Sequence, residues 1–202
     1  MKHEAWGRWA EALGVGLDPK ETQALETFES LLADRAVQLG LISSGDRNHL
    51  RERHVVDSLR AAPLIGLAPR GVMDLGSGAG LPGIPLALVR PDLRFRLVDA
   101  QRRRVSFLEL VVDSLELSNV EVIHGRIESL AGDADVCLAR ALADPTTTWS
   151  LAGRFLPPAG KLLYWAGRSF DEGSVSLEGA QISLSRNPAL ADAGPVVIMT
   201  RQ

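Results

Sequence analysis

The residues most able to do chemistry lie in Met73-Asp74-Leu75-Gly76-Ser77-Gly78-Ala79-Gly80-Leu81-Pro82-Gly83. Glycines permit positive φ and let a ligand approach the backbone, and unpaired N–H groups at the start of a following helix favour an anionic group. Gly78, Gly80 and Gly83 satisfy the G-x-G-x-x-G spacing, which gains weight only where a strand precedes it and a helix follows. Both flanks read that way, and the turn then falls at the carboxyl end of a strand, where open α/β sheets place their ligands. Asp99 ends the next apolar run, Phe95-Arg96-Leu97-Val98. A carboxylate there can accept both hydroxyls of a ribose, so the two features together specify an adenosine-containing ligand.

A dinucleotide and S-adenosylmethionine share this geometry, and Asp74 discriminates between them. A carboxylate about 4 Å from a pyrophosphate costs on the order of 4 kcal/mol per charge pair at an effective dielectric of about 20. The same carboxylate attracts the ammonium of S-adenosylmethionine, which is therefore the expected cofactor. Glu128, in Gly125-Arg126-Ile127-Glu128, falls where the third strand's loop would approach the adenine, and it reads equally well as an acid at a helix start. Arg140 follows the fourth strand, where a cation can hold a carboxylate or a phosphate. Cys137, inside that strand, reads as a small buried hydrophobe.

The elements that must position these groups change character near residue 71. Before it the chain reads as helical. Asp18-Pro19-Lys20-Glu21 supplies an N-cap, a proline at the first helical position and a glutamate at N3. Leu25, Phe28, Leu32 and Leu39 form one stripe, Gly40 stops it, and Trp6, Trp9, Ala10 and Leu13 mark a shorter helix in front. A third helix is expected over Arg51 to Ile65, with Pro63 weakening its end. From Val72 short apolar runs alternate with helical ones, the pattern of a parallel sheet. Strands are expected at 72–75, 95–98, 120–123, 136–138 and 161–165, with a final antiparallel pair at 182–185 and 196–200 closing the sheet edge. The expectation is therefore a helical extension, residues 1–70, joined to an α/β domain, residues 71–202, with a seven-stranded, mostly parallel Rossmann-like sheet.

Composition limits the function further. The chain has 202 residues, 46% hydrophobic, enough for one substantial core. A net charge of −3 argues against a protein that coats nucleic acid by bulk charge, so RNA contact would need local clusters. Arg47, Arg51, Arg53 and Arg60 form one such cluster and Arg102, Arg103 and Arg104 another; either could equally be a solvated face. The single cysteine and scattered histidines offer no zinc spacing, so no metal is expected. The amino terminus lacks a signal-peptide core and no run approaches the ~20 apolar residues of a membrane span, which points to a cytoplasmic protein. Trp149 and Trp165 are expected in the core rather than stacked on bases.

Four segments together resemble the glucose-inhibited division protein B family, RsmG. They are Arg53-His54-Val55-Val56-Asp57-Ser58-Leu59, Asp74 through Pro85, Val98-Asp99 with Arg103-Arg104-Val105-Ser106-Phe107-Leu108, and Ala139-Arg140-Ala141. The resemblance implies a class I S-adenosylmethionine-dependent fold, transfer of a methyl group to N7 of a guanine in bacterial 16S ribosomal RNA, and a partner that is the small subunit or its assembly intermediate. It implies a monomer with no membrane association. It carries the cofactor role to Asp74, Gly76, Ser77, Gly78, Leu81, Asp99, Ala100, Ile127, Glu128 and Arg140, and the substrate side to Arg140 and His54. The chain departs from the family where Gly40-Leu41-Ile42 replaces a frequent Asn-Leu-Thr, and where Ala166 stands at a frequent lysine. Three other readings stay open on the sequence. They are a class I methyltransferase for a small molecule or protein, a dehydrogenase using a nicotinamide dinucleotide, and a non-catalytic RNA-binding module.

Overall fold

Short apolar, partly β-branched runs bounded by glycine, proline or asparagine turns cannot close a helical turn cooperatively, and they form the sheet instead. The computed structural model describes residues 2–171, 173, 175 and 177–202, with residues 2–5 as backbone only. The strands are β1 (Val72–Leu75), β2 (Phe95–Asp99), β3 (Val120–His124), β4 (Val136–Arg140), β5 (Lys161–Trp165), β6 (Ala180–Ser185) and β7 (Val196–Arg201). They lie in one seven-stranded sheet in the order β3-β2-β1-β4-β5-β7-β6. The first five are parallel; β6 and β7 form the expected antiparallel pair at the sheet edge, with β7 inserted between β5 and β6, an order the sequence did not indicate. β4 runs two residues further than expected, so Arg140 is its last residue rather than part of the loop.

The period of two along each strand sorts side chains between two faces. Val72, Phe95, Leu97, Val136, Leu138 and Leu163 belong to one hydrophobic cluster; Met73, Leu75, Val98, Cys137, Ala139 and Leu162 belong to the other. Asp74 therefore shares the face of Val72, and Arg140 the face of Leu138. That face is covered by α5 (Gly83–Val89), α6 (Arg102–Ser114) and the amino-terminal helices, whose Trp6, Leu25, Phe28, Val55 and Leu59 join the same cluster. The opposite face carries α7 (Pro145–Ala152). Every residue of α5 is buried, because the sheet lies on one side of it and the amino-terminal helices on the other.

In the amino-terminal part, α1 (Lys2–Leu13) and α2 (Pro19–Leu31) follow the periodicity. The expected capping box is formed: the Glu21 N–H donates to Asp18 Oδ1 at 2.7 Å and the Asp18 N–H to Glu21 Oε2 at 2.8 Å. The α2 axis continues through a π-helical turn, Leu32–Ala36. The third helix is not continuous. A 3₁₀ turn (Ser44–His49) leads into a π-helical turn (Arg51–Val56), then α3 (Asp57–Leu59), a break, and α4 (Ala62–Ile65). The Ser58 hydroxyl donates to the His54 carbonyl at 2.6 Å and Arg140 Nη2 to the Arg53 carbonyl at 2.9 Å, so both carbonyls of the π-helical turn take a side-chain donor. Pro63 interrupts the helix ahead of the expected end: the break at residues 60–61 precedes it, and it stands in the first turn of α4, where an N–H would have no intrahelical acceptor.

The capping box gives a stability prediction. Asp18→Ala removes one half of the box and releases the Glu21 side chain, and it should cost about 1 kcal/mol. Thermal unfolding should then show a midpoint lower by about 2–4 °C, and an unchanged midpoint would mean that the box contributes nothing.

Candidate active site

The glycine turn leaves β1 and enters α5, which is the context its spacing needed. Gly76 has φ +73°, and a Cβ there would lie 2.8 Å from Leu142 Cδ1, so any other residue is both strained and crowded. Gly83 is glycine for a different reason. Its Cβ would sit 2.6 Å from Asp74 Oδ2, and its absence lets the Gly83 N–H reach that oxygen at 3.0 Å. The Ser77 N–H donates to the Val98 carbonyl at 2.9 Å and the Ser77 hydroxyl to the Asp74 carbonyl at 3.0 Å, which fastens the turn to the end of β2.

Asp74 is 1% exposed. Its Oδ2 takes the Gly83 N–H, while Oδ1 is buried with no hydrogen-bond donor among the described residues. Burial pushes its carboxyl up to about 7, against the pull of the Gly83 N–H. Asp99 closes the turn from the other side. Its Oδ2 accepts the Gly78 N–H at 3.0 Å and its Oδ1 the Gln101 N–H at 2.8 Å, with Arg104 Nη1 at 3.4 Å from Oδ2. With two donors already on Oδ2, the lone-pair capacity for a further donor is on Oδ1. Leu81 is half-buried beside the turn, and Ala100 is exposed next to Asp99, its carbonyl 3.2 Å from His124 Nε2. Ile127 is buried and Glu128 exposed in a 3₁₀ turn (Ile127–Ser129) that follows β3, so Glu128 also occupies the position of an acid at a helix start.

Arg140 and His54, 86 positions apart, meet. Arg140 Nη2 lies 3.0 Å from His54 Nδ1 and donates to the Arg53 carbonyl, while Nη1 lies 3.5 Å from an Asp57 carboxylate oxygen. A guanidinium has only N–H groups to give, so Nδ1 accepts and the ring proton of neutral His54 sits on Nε2. Burial and the Arg140 charge push His54 down to about 4, so the ring is neutral at pH 7. Asp57 carries no role in the sequence reading, although its i,i+3 spacing to Arg60 was a legible sign of an ion pair.

The first arginine cluster is occupied within the chain. Arg51 makes a bidentate pair with Glu29, 2.6 Å at its shortest, and stacks on Trp6 at 4.8 Å. Arg53 pairs with Asp46, Arg47 approaches Asp34, and Arg60 is buried against Asp57 and the Gly194 carbonyl. Arg60 is thus a core group, a correction to its reading as an RNA contact. Arg102 and Arg103 are exposed at the start of α6, and Arg104 faces Asp99. Trp165 is buried, its Nε1–H on the Asp57 carbonyl at 3.0 Å, and Trp149 packs half-buried against the second cluster. Burial raises the Cys137 thiol well above its ordinary range, so it is no nucleophile.

The strand order and the turn between β1 and α5 define an α/β class I methyltransferase fold. Solved structures share it: a mutant of MtNAS in complex with S-adenosylmethionine (TM-score 0.59, 17% identity, 89% of this chain and 73% of that one) and a SAM-dependent methyltransferase from Aquifex aeolicus (TM-score 0.54, 17% identity, 88% and 97%). The family described as rRNA small subunit methyltransferase G matches residues 21–187, and the chain belongs to that family. Its relatives named ribosomal RNA small subunit methyltransferase G include one from Mycobacterium leprae (strain TN), 42% identical over 73% of this chain and 62% of that protein. Another, from Anaeromyxobacter dehalogenans (strain 2CP-C), is 39% identical over 91% and 86%. The chain spans about three-fifths of the Mycobacterium relative's length.

The raised carboxyl of Asp74 sets a pH dependence. Between its unfolded value of 3.8 and its folded value of about 7, the folded chain holds a proton that the unfolded chain has lost. Its stabilising contribution is therefore complete below about pH 4 and disappears as pH rises through about 7. Asp74→Asn has no such proton. The unfolding midpoint of the native chain should fall relative to that of Asp74→Asn between about pH 4 and pH 7, and parallel curves would show that Asp74 titrates normally.

Proposed function

We propose that the chain transfers a methyl group from S-adenosylmethionine to N7 of a guanine in 16S ribosomal RNA, as a monomeric cytoplasmic enzyme acting on the small subunit or its assembly intermediate. The observation that carries this reading is the match of residues 21–187 to the small-subunit rRNA methyltransferase G family. The domain formed by residues 71–202 holds the donor, and the helical extension, residues 1–70, supplies His54 to the acceptor side.

The site's residues fit the donor. The free, buried Oδ1 of Asp74 suits a cationic ammonium, and the remaining lone pair on Asp99 Oδ1, together with the Oδ2 site that the long Arg104 contact can yield, suits ribose hydroxyls. Gly76, Ser77, Gly78 and Leu81 form the turn around it. Ala100, Ile127 and Glu128 border the adenosine side, and Arg140 stands between donor and acceptor. When bound, S-adenosylmethionine supplies a methyl group on a positively charged sulfur.

Guanine N7 exposes a lone pair and carries no proton, so the chain needs no general base to prepare it. What remains is orientation, worth at most about 7–11 kcal/mol when the reacting atoms are held in line. His54, neutral with its proton fixed on Nε2, and Arg140 hold that side of the site without moving a proton. Arg102 and Arg103 provide exposed positive charge for phosphate, whereas Arg51 and Arg60 are held in internal ion pairs.

Labelled S-adenosylmethionine incubated with isolated small subunits and with deproteinised RNA, followed by mapping of the label, tests donor and acceptor together. Label at a single guanine N7 is expected. Label on a small metabolite or on protein would point to a different acceptor class, and donor binding without transfer to a non-catalytic module. A second prediction concerns salt. Replacing Arg102 and Arg103 by alanine should raise KM for the subunit and reduce the slope of log affinity against log salt by about 1–2; an unchanged slope removes both from the RNA interface.

A further inference from the structure

The acceptor side of the site contains a buried carboxylate that the methyl-transfer reading does not use. Asp57 is 7% exposed, and two guanidinium groups flank it. Arg60 Nε lies 3.0 Å from Oδ1, and Arg140 Nη1 lies 3.5 Å from Oδ2. The Arg60 Nε–H points at the Asp57 backbone carbonyl, which also accepts the Trp165 Nε1–H, so Oδ1 itself receives no hydrogen bond from the described residues. The carboxylate is therefore held by charge. Arg140 and Trp165 are register partners at the ends of β4 and β5, and Arg60 Nη1 reaches the Gly194 carbonyl ahead of β7. Asp57 thus sits where the broken helical segment meets three strand ends.

We propose that Asp57 is a positioning residue that holds the Arg140 guanidinium on the Arg53–His54 backbone and so fixes the His54 ring at the acceptor side. This rests on the methyltransferase reading given above. The physical reason is a balance of buried charge. Arg60 and Arg140 both carry positive charge and repel each other, and Asp57 is the anion between them. Without it, Arg140 is driven from Arg60 and loses its place on the Arg53 carbonyl and on His54 Nδ1. Asp46, which pairs with Arg53 and lies 3.6 Å from His54 Nε2, acts on the far side of the ring and cannot replace Asp57 between the two arginines. A displacement of about 1 Å at such a place costs on the order of a hundredfold in rate.

Asp57→Asn keeps the shape and removes the charge. We expect kcat on small subunits to fall by about ten- to a hundredfold while the dissociation constant of S-adenosylmethionine changes by less than about threefold. Combined with Arg140→Ala, it should be no worse than Arg140→Ala alone; losses that multiply, or a native rate in Asp57→Asn, overturn the proposal. A merely structural role would not touch the second readout, ¹⁵N NMR of the His54 ring at pH 7. The native chain should show one tautomer with the proton on Nε2, and Asp57→Asn a mixture. This readout needs no turnover, so it still decides the proposal if the native chain methylates no RNA. Asp57→Ser replaces Asp57→Asn if the latter does not fold. If neither folds, a mixed tautomer in the native chain overturns the proposal and a single Nε2–H form supports it.

Discussion

The hydrogen bond from the Gly83 N–H to Asp74 Oδ2 is the contact on which the site depends. It joins the third residue of a four-residue strand to the first residue of a helix, and it draws a carboxylate into a place where water cannot solvate it. A glycine is required at one end because a side chain would occupy the space of the acceptor. The cost of burying the charge is left standing, since only one of the two oxygens receives a donor from the described residues. A fold that needed only a tight turn would place a neutral cap here; a buried, half-satisfied carboxylate is what a cationic ligand requires.

The second constraint is that the helical extension and the sheet do not pack as independent bodies. α5 is buried all round, so the amino-terminal helices form the outer layer of the core that positions the glycine turn. The broken helical segment then meets the carboxyl ends of β4 and β5 through polar contacts, with Arg140 and Trp165 each donating to its backbone. A hydrophobic contact sets distance but tolerates sliding, whereas paired donors and carbonyls fix register. The extension is thereby locked to the end of the sheet where open α/β folds place their ligands.

The sheet, its strand boundaries to within two residues, the capped second helix and the glycine turn were all legible in the sequence, because each rests on local rules. Apolar period, N-cap chemistry and the spacing of small residues act over fewer than about a dozen positions. The π-helical turn within Arg51 to Ile65 was not legible, because the pattern is that of a regular helix and the guanidinium that bonds its backbone, Arg140, lies 87 positions away from Arg53; the break at residues 60–61 falls just ahead of Pro63. The arginines behave alike: Arg47, Arg51, Arg53 and Arg60 form a basic run in sequence, yet Asp34, Glu29, Asp46 and Asp57 neutralise them in space. Of these partners, only Asp57 lies within one helical turn of its arginine. Charge clusters read along the chain count cations, whereas function depends on those left unpaired after folding.

The electrostatics around His54 and Arg140 also agree with the acceptor chemistry proposed above. Methylation of an amine or a hydroxyl must dispose of a proton, and a site built for it tunes a base toward neutral pH. At His54 the opposite has happened. His54 is pushed down to about 4 by burial and by Arg140, and its Nδ1, the atom that could take a proton, is occupied by an arginine N–H. Asp57, whose carboxyl is raised by burial against the pull of Arg140 and Arg60, is fixed between those two guanidinium groups and has no path of its own to the ring. Groups this firmly held are poor proton carriers and good walls. A nitrogen that presents its lone pair without a proton needs a wall more than a base, and N7 of guanine is such a nitrogen.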